Sequence, residues 1–114
     1  MVQVVMTKTG GITGLMQRLL IQPDSTWIFI DSKAGTSQPG KFTAAQSSAI
    51  AALIADPALK AESKLPPNPG SCADGIAYNV QTLDVQFKYD SCTAAASHPA
   101  TARLLRAIED ATPL

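Results

Sequence analysis

Between residues 75 and 90 apolar side chains occupy every second position on both sides of a turn, and this alternation constrains the fold more than any other feature of the chain. Residues 75–81 and 83–90 read as the two strands of a hairpin. Pairing Val80 with Val85, Tyr78 with Phe87 and Ile76 with Tyr89 gathers all of these side chains on one face, because successive strand residues point to opposite sides. A slip of one residue would turn them all to the other side. The turn at Thr82-Leu83 lacks the glycine or asparagine that a two-residue turn prefers, so the strands are better marked than the turn. A lone hairpin is marginal in water. The rest of the chain must therefore supply further strands and a layer that covers the apolar face.

Three more strands are legible upstream. Residues 2–7 are apolar and β-branched with partial alternation. Thr9-Gly10-Gly11-Ile12-Thr13-Gly14 is a glycine-rich connection, and residues 15–22 form the next apolar run. Pro23-Asp24-Ser25 is turn chemistry: proline presets φ, and short polar side chains bond to the local backbone. Residues 26–31 (Thr-Trp-Ile-Phe-Ile-Asp) are apolar on both faces and read as a central strand. Residues 32–41 are polar and contain glycine, which reads as a long loop.

Helices follow. Thr43 with Gln46 three residues later makes a capping box. The helix it opens runs to about residue 55, with Ile50, Leu53 and Ile54 on one stripe. Asp56-Pro57 repeats the signal, a cap followed by proline at the first helical position, for a short turn to about residue 61. Leu65-Pro66-Pro67-Asn68-Pro69-Gly70 excludes regular structure, since each proline removes a donor. His98-Pro99 opens a last helix to about residue 110, with Leu104, Leu105 and Ile108 inward. At 114 residues there is room for one core, so residues 1–114 are expected to form a single domain. The expected class is α+β: one antiparallel sheet of about five strands with two helices on one face, in the order β-β-β-α-β-β-α.

Composition narrows function mainly by exclusion. Nine basic residues balance nine acidic ones and no block of like charge appears, whereas nucleic-acid and polybasic membrane binders carry a basic stripe. The apolar runs are far shorter than the ~18 residues of a membrane span. With one histidine and no Cys-x-x-Cys or His-x-x-x-His spacing, neither a metal site nor a cofactor is expected. A serine triad would have to recruit His98, and no Gly-x-Ser-x-Gly elbow is present. Gly10-Gly11-Ile12-Thr13-Gly14 precedes a strand rather than a helix, so no helix N-terminus awaits a phosphate there. The chain reads as a non-enzyme that binds, acting as a monomer. Cys72 and Cys92 bracket the hairpin one residue out of step with its register, a mismatch that a bulge at Gly75 absorbs. They are expected to form a disulfide. That pair favours a secreted or periplasmic protein whose leader has been removed, the alternative being a cytoplasmic protein with two thiols.

The run Val4-Val5-Met6-Thr7-Lys8-Thr9-Gly10-Gly11-Ile12-Thr13-Gly14 resembles the emfourin-like family, protein inhibitors of protealysin and other thermolysin-type metallopeptidases. The segment order is also similar to that family's, including the hairpin opening Asp74-Gly75-Ile76-Ala77-Tyr78-Asn79-Val80 and the proline-initiated last helix. The cysteine pair departs from the family's pattern. The resemblance implies that a loop aspartate reaches the catalytic zinc of the peptidase while apolar residues of a neighbouring loop fill substrate subsites. Asp24 is the residue expected in the first role, and Ile12 or Leu65 in the second. The competing readings are a secreted, non-catalytic accessory module that binds carbohydrate or protein, and a small enzyme whose site carries no recognisable motif.

Overall fold

Alternation, turn chemistry and caps place the elements of the computed structural model, which describes residues 2–11, 14–64, 76–82, 85–90 and 98–114. In chain order these are β1 (Val4–Gly10), β2 (Leu15–Ile21), β3 (Thr26–Asp31), β4 (Thr36–Lys41), α1 (Ala44–Ala55), α2 (Pro57–Glu62), β5 (Ile76–Gln81), β6 (Gln86–Asp90) and α3 (Pro99–Ala111). Among the described residues the six strands form one sheet, ordered β4-β3-β2-β1-β5-β6, and every neighbouring pair is antiparallel. The α+β class is as expected, with one strand and one helix more than the simple order implied.

The additional strand corrects the reading of residues 32–41 as a loop. Asp31 builds a tight turn instead: its Oδ1 accepts from the backbone N–H of Lys33 at 3.1 Å and of Ala34 at 3.0 Å. Gly35 supplies a positive φ of 68°, and Thr36–Lys41 then pairs along β3. A polar strand containing Pro39 is tolerated because it lies at the sheet edge, where one row of backbone groups faces solvent.

Register rows explain which side chains meet. Val4, Ile21 and Trp27 lie opposite one another in one row; Val80, Met6, Leu19 and Phe29 form the next. All of these are buried. The helices cover that face, contributing Ile50, Leu59, Leu104, Leu105 and Ile108 to the same cluster. Leu53 and Ile54 pack at its margin, half-buried, so only Ile50 of the expected α1 stripe reaches the centre. The other face carries Val5, Leu20 and Ile28 half-buried and Met16 57% exposed.

Helix ends follow the sequence closely. Thr43 Oγ1 accepts from Gln46 N at 3.1 Å while Gln46 Oε1 accepts from Thr43 N at 2.9 Å, the full capping box. Asp56 closes α1 and caps α2, accepting from Ala58 N at 2.9 Å ahead of Pro57. The start of α3 could not be read so. His98 makes no side-chain cap bond, and the first turn is capped by Glu62 from α2. Its two carboxylate oxygens accept from Ala100 N and Thr101 N, both at 2.9 Å.

The hairpin register differs from the expected one by two residues: Tyr78 faces Tyr89 and Val80 faces Phe87. Period-two alternation is blind to such a shift, since two residues restore every side chain to its face. Local bonds decide it. Thr82 N donates to Val85 O at 2.7 Å, and the Thr82 hydroxyl accepts from Val85 N at 3.2 Å, so the turn closes between these two residues. Cys72 and Cys92 lie outside the described residues.

Candidate functional site

Gln22 to Thr26 form a three-residue hairpin loop. Ser25 N donates to Gln22 O at 3.0 Å, closing a turn with Pro23 in its second position, and Gln22 N donates to Thr26 O at 2.9 Å. Ser25 stands at φ 71°, a left-handed conformation that serine adopts at some cost. Its hydroxyl is tied to Ser47 Oγ of α1 at 2.6 Å, and its carbonyl accepts from Phe42 N at 3.0 Å. The turn is thus anchored to the helix layer.

Asp24 stands at the tip, exposed. Its Oδ1 accepts from Thr26 N at 3.1 Å and from Thr26 Oγ1 at 2.5 Å. The Thr26 hydroxyl bond first and the backbone bond second hold the Asp24 carboxyl below its ordinary value, with Lys41 adding a weaker attraction. At neutral pH this is an oriented, ionised, solvent-facing carboxylate that accepts hydrogen bonds and can ligate a cation.

Topology separates the connection before β2 from this turn. The connection carrying Ile12 closes the end of the sheet at Gly10 and Leu15, whereas the Asp24 turn closes the end at Ile21 and Thr26. These are opposite ends of β2, roughly 20 Å apart at about 3.3 Å per residue, so the Ile12 connection does not neighbour Asp24. Ile12 and Leu65 themselves lie outside the described residues. The Asp24 end is shared with the start of α1 and with the β5–β6 connection, because Val5 pairs with both Leu20 and Gln81.

A second constellation occupies the opposite end, under α3. The row beyond the apolar ones runs Tyr89, Tyr78, Lys8, Gln17 and Asp31 across five strands. Lys8 Nζ lies 5.6 Å from the centre of the Tyr78 ring and 3.5 Å from Glu109 Oε2. Burial, then the Glu109 carboxylate beside it, pushes the Tyr78 phenol up to about 12. Tyr89 tilts against Tyr78, ring centres 6.3 Å apart, and meets the buried His98 edge-on at 6.0 Å. A cleft of about 300 Å³ opens here, lined by both tyrosines, Leu105, Arg106, Glu109 and Asp110. Sequence reasoning missed this group. The available signal was Lys8, which continues the inward series Val4, Met6 and so needs a carboxylate facing it.

Among the described residues no three His, Cys, Asp or Glu side chains lie together as a metal site, and no helix is long and apolar enough to cross a membrane. No family model matches the chain, and no curated protein matches it.

Proposed function

We propose that this protein inhibits thermolysin-like zinc peptidases by presenting the Asp24 carboxylate to the catalytic metal. The observation that supports this reading most is the geometry of the turn: an ionised carboxylate at the tip of a short loop that Thr26, Ser47 and Phe42 hold in place. A catalytic zinc keeps one position open for water or substrate, and a carboxylate can take that position. A turn already fixed in shape loses little entropy on docking. The emfourin-like resemblance of residues 4–14 supports the same target class. Such a protein acts outside the cytoplasm as a monomer, without a cofactor, and without activity of its own. Of the two apolar residues considered, Leu65 is retained as the subsite-filling candidate; Ile12 belongs to a connection at the wrong end of the sheet.

Titration of the parent, Asp24→Asn and Asp24→Ala against a panel of thermolysin-like peptidases tests the proposal. Asparagine keeps the oxygen that accepts from Thr26 and removes the charge. Either change is expected to raise the inhibition constant by roughly tenfold or more, as loss of a charged contact at an interface usually does. Thermal stability of the Asn variant should match that of the parent. Equal inhibition by the Asn variant would exclude Asp24 as the zinc-directed group. If the parent inhibits no member of the panel, the reading falls and a non-catalytic binding module replaces it.

A further inference from the structure

We infer that the cleft between α3 and the β5–β6 hairpin is a binding site for a neutral saccharide. The inference is independent of the inhibitor reading, since the cleft lies toward the opposite end of the sheet from Asp24. Its volume of about 300 Å³ falls at the lower end of small-molecule sites.

The chemistry of the walls selects the ligand class. Half-buried Tyr89 supplies aromatic surface, backed by the buried Tyr78 and Leu105. With them stand one cation, Arg106, and two carboxylates, Glu109 and Asp110, and Glu109 is paired with Lys8, which lies outside the lining. Lys8 offsets the charge of Glu109, so an anion entering the cleft meets Asp110 and a cation meets Arg106. Neither is favoured by a set of groups whose charges cancel. A sugar ring fits what remains. Its C–H face packs on an aromatic ring, whose π-face is electron-rich, and its hydroxyls both donate and accept. Guanidinium is a planar fork of donors and carboxylate a pair of acceptors, so neighbouring hydroxyls can bridge both.

The side chains are also ready for this role. Lys8 and Glu109 pair with each other at 3.5 Å, and Lys8 lies 5.6 Å from the centre of the Tyr78 ring, which fixes the inner wall. Among the described residues Arg106 forms no ion pair, and like Asp110 it is exposed at the rim. An inner wall already bonded and a rim with spare donors and acceptors suit a ligand held by its outer hydroxyls.

The test is a titration of ¹⁵N-labelled protein with cellohexaose, chitohexaose and maltohexaose, followed by amide chemical shifts. An oligogalacturonate and free arginine serve as anionic and cationic arms. At least one neutral oligosaccharide is expected to shift amides at Tyr78, Tyr89 and along residues 102–110 in a saturable manner. Arg106→Ala and Asp110→Asn, both at exposed positions, should each weaken that binding by roughly tenfold or more, as loss of charged hydrogen bonds does. Arg103→Ala, exposed on α3 and outside the cleft lining, should leave it unchanged, and so should Asp24→Asn. No shift with any neutral sugar would overturn the inference, as would shifts confined to another surface. Equal or tighter binding of the oligogalacturonate or of arginine would overturn it too, by showing that charge selects the ligand.

Discussion

Gly40 sits opposite Trp27 on the edge strand, and the indole lies across it so closely that a Cβ there would come within 2.0 Å of Trp27 Cζ2. The missing side chain is what lets a large ring close the core at the sheet edge, where it also tilts against Phe42 at 6.4 Å. Gly40→Ala must push the ring or the strand aside, an overpacking change that costs about 1–3 kcal/mol. Urea unfolding followed by Trp27 fluorescence measures it; a midpoint equal to the parent's would show that the ring moves away without cost. At this scale the sequence was most readable where a residue's partner is its neighbour. Asp24, Thr43 and Asp56 all bond within three residues of themselves. The Gly40 requirement was invisible because the Trp27 ring is brought to it by strand pairing.

The elements show the same division. The α1 and α2 starts carry local caps and were legible; α3 borrows its cap from Glu62, which lies 38 residues before Ala100. That carboxylate is buried, 7% exposed, and satisfies two N–H groups of the first turn, joining α2 to α3. The favourable field at a helix N-terminus adds to those bonds. Glu62→Ala should therefore cost about 1.5–3 kcal/mol, the worth of a charged hydrogen-bond set whose loss leaves donors buried. Glu62→Gln, keeping one acceptor, should fall between. Hydrogen exchange at the Ala100 and Thr101 amides reads the effect at its source; unchanged protection in the Ala variant would contradict the capping role. β4 was misread for a related reason. Its residues are polar and exposed, with no apolar alternation to see, and only pairing with β3 makes them a strand.

Across the whole molecule, one core joins the sheet to the helix layer, and Tyr78 sits where its polar end emerges. Its raised value, about 12 against an ordinary 10, means that the fold favours the protonated phenol. The stability this contributes is fully present below pH 10 and is lost as pH rises through about 12, because the unfolded chain releases the proton more readily. Tyr78→Phe cannot ionise. The parent should lose stability relative to that variant between these pH values, and parallel profiles in urea unfolding would show that Glu109 and burial do not act on the phenol as described. The rim charges of the cleft are exposed and should contribute little to stability.

Sequence alone determined which segments are strands and helices wherever periodicity or a cap lies within a few residues. It also determined which faces turn inward, because alternation and helical spacing are local properties of the chain. Tertiary structure decided the rest. Two-residue register shifts leave every face unchanged, so the hairpin pairing was settled by the Thr82–Val85 bonds. The edge strand exists through its partner, and the cap of α3 arrives from a distant helix. The tyrosine cleft assembles side chains from β5, β6 and α3 that share no sequence pattern. The Asp24 turn could be named from three residues, and its separation from the connection before β2 was legible as well, since the two flank a single strand of seven residues.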